Sequence, residues 1–404
     1  MPMNTITDDH THSEHGNGPA AAASAALDPT SLPADLDVVC MCHLRWDFVF
    51  QRPQHLMTRF GRERRVFLIE EPVNGDASET LRVRREGKVT IATPVLSPDI
   101  GEDTRVELIR SRLTRFLAEE GVSDYALWYY TPMMLPITDH LTPKLVVYDC
   151  MDELSAFAGA PPELLERERR LLERADVVFT GGQSLYEAKK DRHPRVHAFP
   201  SSIEYDHFAS ARDGIEDPED QKPIAGPRIG FYGVVDERFD VDLLGAVAQR
   251  RPDWSFVILG PTVKIDPARL PRQANIHYLG MKSYAQLPKY LANWDVAMLP
   301  FARNESTKYI SPTKTPEYLA AGRPVVSTSI TDVVRPYGND KLVHIADDAD
   351  GWVEAIERAL AQRDDAQWLA RVDAFLAHTS WDRTWKGMSR AMAEALQARS
   401  GKAV

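Results

Sequence analysis

The residues best suited by type and spacing to chemistry lie in one run, Ser311-Pro312-Thr313-Lys314-Thr315-Pro316-Glu317-Tyr318-Leu319-Ala320-Ala321-Gly322-Arg323-Pro324-Val325-Val326. Thr315 is placed to cap a helix start with its side chain. Pro316 suits the first helical position, where its missing N–H costs nothing, and Gly322 suits a left-handed helix end. A helix start with free N–H groups and a positive dipole end suits a diphosphate. Lys314 adds a point charge, and Glu317 can accept two hydrogen bonds from ribose hydroxyls. The chemistry expected here is the holding of a nucleoside diphosphate. The plainer readings are a solvated loop charge for Lys314 and simple dipole complementation in a first helical turn for Glu317.

Such a segment needs a scaffold, and the rest of the chain supplies one in alternating pieces. Asp37–Cys42, Arg65–Ile69, Lys88–Ala92, Ala126–Tyr130, Lys144–Asp149, Asp176–Thr180 and Val196–Phe199 read as strands. Between them Gln54–Phe60, Thr104–Glu120, Pro162–Arg174 and Ser184–Asp191 carry apolar residues at helical spacing. A second series begins at Arg228–Tyr232 and continues through Ser255–Leu259, Asn275–Leu279, Val296–Leu299, Val325–Thr328 and Leu342–Ile345, with Val241–Arg250, Ser283–Ala292, Pro316–Ala321 and Gly351–Gln362 as its helices. Strands alternating with helices imply parallel sheets covered on both faces. The expected architecture is α/β, with two facing Rossmann-like doubly wound domains and a C-terminal helical segment. A disordered tail is expected over 1–36, the first domain over 37–210, a polar linker over 211–227 and the second domain over 228–366. Over 367–404 the chain reads as helical throughout, with Trp368, Phe375, Trp381, Trp385 and Met388 able to pack across both domains or to cap the second alone. Two such domains meet in a cleft at the carboxyl ends of their strands, where α/β proteins bind ligands.

Composition narrows the function classes. With 43% hydrophobic and 26% charged residues over 404, the chain is a globular protein long enough for two or three domains. Its 48 Lys and Arg against 59 Asp and Glu leave a net charge of −11, which argues against a nucleic-acid partner. Three cysteines cannot form a disulfide framework and suit a reducing compartment; Cys40 and Cys42 share one strand face and read as core. No stretch is apolar for the 18 residues a membrane span needs. Asp8, Asp9 and Glu14 stand where a signal peptide would be basic, and the Ala20–Ala26 run is too short for its hydrophobic region, so the cytoplasm is expected. His10, His12 and His15 offer at most weak metal binding, and no metal site is expected. No G-x-G-x-x-G follows the first strand and no Walker A loop occurs, so a dinucleotide oxidoreductase or P-loop enzyme is not expected. Pro (28) outnumbers Gly (22), and Pro53, Pro200, Pro261, Pro300, Pro312, Pro316 and Pro324 stand at expected strand ends and helix entries.

The pattern S-P-x-K-x-x-E-Y-L-A-A-G-x-P-V-V resembles the donor-nucleotide motif of bacterial GT-B glycosyltransferases of group 1. Trp46-Asp47-Phe48-Val49-Phe50-Gln51-Arg52-Pro53-Gln54-His55-Leu56 is similar to the opening block of the TuaH-like subgroup, which includes teichuronic acid and exopolysaccharide transferases. Tyr148-Asp149-Cys150-Met151-Asp152-Glu153 and the block from Gly230 to Asp240 resemble that subgroup's other two blocks, so the likeness runs in order over residues 37–390. One position departs: many retaining members carry Glu eight residues before the motif's last Glu, and Tyr309 stands there.

The resemblance implies transfer of a sugar from a nucleotide-diphosphate donor to a carbohydrate or lipid-linked glycan acceptor, in bacterial surface polysaccharide or glycoconjugate biosynthesis. It implies no cofactor beyond the donor, and catalysis without a metal. It implies donor contacts from Gly233, Arg238, Lys314, Thr315 and Glu317, with Glu317 on the ribose; the plainer reading of Arg238 is a pair with Asp236 or Asp240. An inverting displacement needs a base from the first domain, and the resemblance places it at Asp152 or Glu153, with His43 and His55 as alternative catalytic groups, a histidine on the first βα loop being the usual donor-sugar contact in retaining members. The plainer role for Asp152 is capping through Asp152-x-x-Ser155. Arg45, Trp46, Gln51 and Arg52 are expected to line an acceptor pocket or to fix their loop. The Arg-rich stretches 62–65, 82–88 and 105–115 offer peripheral contact with anionic lipid at the inner membrane face if the acceptor is lipid-linked, although local Glu residues balance each. A nucleotide-sugar epimerase on the same fold and a non-catalytic nucleotide-sugar-binding member of a synthase complex are the rival readings.

Overall fold

The computed structural model describes residues 31–76 and 80–401. The expectations for His10, His12, His15 and the Ala20–Ala26 run lie outside the described residues.

The first sheet comprises β1 (Asp37–Cys42), β2 (Val66–Glu70), β3 (Val73–Asn74), β4 (Leu81–Glu86), β5 (Val89–Leu96), β6 (Tyr125–Tyr129), β7 (Leu145–Cys150), β8 (Val177–Thr180) and β9 (Val196–Ala198). Its order is β3-β5-β2-β1-β6-β7-β8-β9, parallel except for β4, which pairs antiparallel with β5. The second sheet comprises β10 (Arg228–Tyr232), β11 (Ser255–Leu259), β12 (Ile276–Gly280), β13 (Val296–Leu299), β14 (Val325–Ser327) and β15 (Val343–Ile345). Its order β12-β11-β10-β13-β14-β15 is wholly parallel, and successive strands are added outward in opposite directions from β10, as they are from β1. Each domain is thus doubly wound, with a crevice beyond the carboxyl ends of β1/β6 and of β10/β13.

Burial on both faces explains why these strands read as unbroken apolar runs. Every residue of β1 is buried, with Val39 and Met41 in the core on one side and Val38, Cys40 and Cys42 in the core on the other. The three cysteines are free and buried, and burial pushes the Cys42 thiol up to about 12.

The structure departs from expectation in four places. Leu32 and Leu36 pack into the first core, and the Pro33 and Leu36 carbonyls accept from Arg64, so residues 31–36 of the expected tail are part of the first domain. The 211–227 segment is bound to the second domain: Gln221 accepts from the Trp294 indole, Asp217 pairs with Arg228, and Ile224 joins the core. The Arg82–Glu86 run forms most of edge strand β4, whose Arg84 and Arg85 pair with Asp47, Glu86 and Glu120. The C-terminal segment is two helices. Ala366–Leu376 sends Trp368, Val372 and Leu376 into the second domain's core, and Trp381–Ser400 sends Trp381, Trp385 and Met388 into the first. The break is made by Ser380, whose hydroxyl caps the last helix at Arg383 N.

Among the described residues, no helix is long and apolar enough to cross a membrane.

Candidate active site

Two adjoining cavities occupy the cleft between the sheets and share Val49 and Gly233. The larger, about 260 Å³, is apolar; Trp46, Phe48 and Phe50 from the loop after β1 face Pro261, Met281 and Tyr284 from the loops after β11 and β12. The smaller, about 140 Å³, is polar and is lined by Arg52, Asp152, Arg238 and Lys314, with Gln51 at its edge.

Most of the expected site residues are already committed to partners. Arg52 forks onto the fully buried Asp149 at 2.9 Å and donates to the Phe199 carbonyl, so it joins β7 to the end of β9. Gln51 and Gln54 form a reciprocal capping box at the start of the helix Arg52–Glu63. Arg45 pairs with Glu70 and donates to the Glu71 and Pro72 carbonyls, and it lines neither cavity. Trp46 donates its indole to Glu86 and its backbone N–H to Glu70. Arg45 therefore fixes the loop, whereas Trp46, Gln51 and Arg52 also reach the cleft.

Glu153 is a correction to the expected catalytic set. It turns into the first domain, where Lys189 Nζ lies 2.6 Å from it and 2.7 Å from Glu168, with Tyr148 and Arg192 also on Glu168. A carboxylate held in a buried ion cluster is not available as a base. His43 lines neither cavity; burial, aided by Lys264, pushes it down to about 4 and keeps it neutral. His55 is packed, stacked on Trp381 at 4.5 Å with Glu204 3.4 Å away. Arg238 lines the polar cavity but is clamped by Asp236 at 2.6 Å.

The motif helix starts earlier than expected. It runs Lys314–Ala320, with Thr313 already helical in φ and ψ at the cap position and making no side-chain cap bond. Thr315 is therefore the second helical residue, and its buried hydroxyl has no hydrogen-bond partner. Pro316 is tolerated as the third because the first four N–H groups of a helix lack intrahelical acceptors anyway. Gly322 ends the helix with φ +72°, as its left-handed role requires. Glu317 lines neither cavity: it is 4% exposed, and the Tyr232 hydroxyl donates to it. Burial pushes it up to about 7 against the pull of Tyr232 and Lys314. Tyr232 itself lines the apolar cavity, so the phenol stands between this carboxylate and any ligand there.

Two charges remain uncommitted. Among the described residues Lys314 Nζ makes no hydrogen bond or ion pair; it sits 5.7 Å from the Phe231 ring centroid, and burial with the nearby Arg238 pushes it down to about 8. The Asp152 carboxylate likewise makes none. It caps nothing, since the short turn Leu154–Ala156 has Glu153 at its cap position and no side-chain cap bond, and burial pushes the Asp152 pKa up against the pull of Arg238 and Arg52. The polar cavity thus holds a free cation and a free carboxylate.

The sequence reading placed Trp46 at a pocket but missed Phe48, Phe50 and Tyr284, which complete the aromatic side of the cleft. Phe48 and Phe50 are each 38% exposed, and Phe50 meets Tyr284 of the other domain at 4.7 Å. The signal was present in Phe48-Val49-Phe50, a bulky apolar run in the loop after β1 whose two phenylalanines stay part-exposed.

Residues 226–362 match the family model of glycosyl transferases group 1. The chain resembles a sucrose-phosphate synthase structure from Thermosynechococcus elongatus, with a TM-score of 0.70 at 14% identity over 90% of this chain and all (100%) of that one. It also resembles the E. coli structure described as trehalose-6-phosphate bound with UDP-2-fluoro glucose, with a TM-score of 0.67 at 12% identity over 88% of this chain and 99% of that one. The fold is GT-B. The expected GT-B architecture and the resemblance to group 1 transferases are both borne out. A Bacillus subtilis (strain 168) protein, provisionally named as the teichuronic acid biosynthesis glycosyltransferase TuaH, is 25% identical over 258 residues. That match covers 59% of this chain and 64% of the relative's length.

Proposed function

We propose that this GT-B protein is a glycosyltransferase that moves a sugar from a nucleoside diphosphate donor to a glycan or lipid-linked glycan acceptor in bacterial surface polysaccharide assembly. The observation that carries the reading is the pair of uncommitted charges, Lys314 and Asp152, in one cavity of the interdomain cleft. Lys314 meets the donor diphosphate, and Arg238, held by Asp236, adds a second fixed positive charge. These cations stabilise the departing diphosphate where other transferases use a divalent ion. The apolar cavity between Trp46, Pro261, Met281 and Tyr284 takes the nucleobase on its aromatic faces.

In an inverting displacement the acceptor hydroxyl attacks the anomeric carbon, the bond from that carbon to the diphosphate breaks, and the hydroxyl proton passes to Asp152. The raised pKa of Asp152 suits it to hold that proton. Packing of the two domains around the cavity excludes the water that would hydrolyse the donor. The reaction belongs in the cytoplasm, at the inner membrane face where the acceptor is lipid-linked. The nucleotide sugar in the E. coli GT-B neighbour and the pathway in the name of the B. subtilis relative support this reading.

The test is a turnover assay with UDP-, GDP-, ADP- and TDP-sugars in the presence and absence of glycan acceptors. The account expects acceptor-dependent release of one nucleoside diphosphate, abolished in Asp152→Asn. An isomerised nucleotide sugar formed without acceptor would assign an epimerase, and donor binding without transfer to any acceptor would assign a non-catalytic binder.

A further inference from the structure

A third cavity, about 260 Å³, lies at the hinge of the two domains. It is lined by both segments in which the chain passes between them: Pro200–Ser202, between β9 and the second core, and His378–Ser380, between the two C-terminal helices, with Arg383 and Thr384 from the first turn of the last one. The interdomain bond from Ser201 Oγ to the Ser311 carbonyl, 2.5 Å, lies between this cavity and the transfer cleft, and both residues line each of them.

Two polar groups in its lining are more than nine-tenths buried and lack partners. They are Asp332 Oδ2, on a residue 6% exposed, and Ser202 Oγ, on a residue 2% exposed. Asp332 belongs to the second domain, and its other oxygen accepts from the first domain's Ser184 N–H at 3.0 Å. Gly182 is needed beside it, because a Cβ there would overlap Asp332 Oδ2. Tyr337 and Phe375, with ring centroids 5.2 Å apart, give the cavity an aromatic wall, and Gln183 and Arg383 add donors.

Buried polar groups are almost always satisfied, so an unpaired carboxylate oxygen and hydroxyl on two residues that line an open cavity call for a hydroxyl-bearing occupant. Arg335, also in the lining, is paired with Glu187 at 3.6 Å, and Arg383 shares the lining with Asp332, so no cation is left unopposed to hold a free anion. An apolar ligand would leave both groups unpaired, and no group of three His, Cys, Asp or Glu side chains stands ready for a metal ion among the described residues. A carbohydrate satisfies every feature, with hydroxyls donating to Asp332 and Ser202 and a C–H face against the aromatic wall. We infer that the hinge cavity is a second carbohydrate site, taking one pyranose unit separately from the transfer cleft. Because its ligands come from both domains, an occupied cavity favours the closed pairing of the domains. This site stands whether or not the cleft transfers sugar.

Saturation-transfer NMR on the full chain with free D-glucose, D-galactose, D-mannose and N-acetyl-D-glucosamine tests it. The expected result is transfer to at least one sugar, several-fold weaker in Ser202→Ala and in Asp332→Asn and unchanged in Lys314→Met, which alters only the cleft. Ser202→Ala removes one hydroxyl and no packing, so it keeps the test decisive if Asp332→Asn loosens the hinge. Three results overturn the proposal: no signal from any of the four sugars, a signal unaltered in Ser202→Ala, or a signal lost in Lys314→Met.

Discussion

Gly233 leaves room for Lys314. With φ +141° it holds a backbone conformation that L side chains rarely adopt, and a Cβ added there would overlap the Lys314 Cε. The sharp turn after β10 therefore lets the lysine stem pass into the cleft. Gly233→Ala should lower stability by about 1–3 kcal/mol through backbone strain and, by displacing the ammonium, weaken nucleotide binding by more than roughly tenfold. Urea denaturation paired with calorimetric titration measures both; unchanged affinity would show that Lys314 does not need this passage.

The lowered pKa of Lys314 sets a pH dependence. Its folded value of about 8 lies below the ordinary 10.5, so between these values the unfolded chain binds more protons than the folded one. Its contribution to the stability of the unliganded protein therefore rises with pH across that window, by up to about 1.4 kcal/mol per unit. Donor binding needs the charged form and moves the opposite way, weakening as pH rises through about 8. Lys314→Met should abolish both trends, and titrations at a series of pH values with each protein read them directly.

Asp152 and Glu153 are neighbours with separate tasks. Asp152→Asn should cut transfer by about 10²–10⁴-fold while leaving donor affinity within a few-fold. In the wild type the acid limb of the rate profile should lie above the ordinary aspartate range, because burial raises this carboxyl. Glu153→Gln leaves Lys189 with Glu168 as its remaining carboxylate, so it should cost stability, about 1–3 kcal/mol, with transfer reduced only modestly. Steady-state rates and melting curves of the two variants separate these outcomes; equal loss of transfer in both would mean that the loop acts as a unit.

Arg52 carries the buried charge of Asp149, whose side chain is fully buried. Arg52→Met strands that charge and should destabilise the protein by about 3–5 kcal/mol, read from denaturant midpoints. A change below about 1 kcal/mol would instead make Arg52 a cleft residue first and a structural one second.

The architecture was legible in the sequence because parallel strands buried on both faces are apolar throughout. Asp37–Cys42, Arg228–Tyr232, Ser255–Leu259 and Val296–Leu299 match their expected bounds residue for residue. Edge strand β4 was missed because four of its six residues are charged, and an edge strand needs no buried face. At the site, residue type was readable and commitment was not. Lys314, Asp152, Glu153 and Glu317 look alike as charges in motifs, and only the fold shows that Lys189 and Tyr232 occupy the last two. The start of the motif helix at Lys314 was misread because Pro is tolerated anywhere in a first turn and so does not mark its first residue.

Calorimetric titration of wild type, Lys314→Met and Asp152→Asn with UDP-, GDP-, ADP- and TDP-sugars tests the central claim most directly. The account predicts that at least one donor binds the wild type, that Asp152→Asn keeps this binding, and that Lys314→Met weakens it by at least about 10²-fold. Binding of none of the four, or binding unchanged in Lys314→Met, would contradict it.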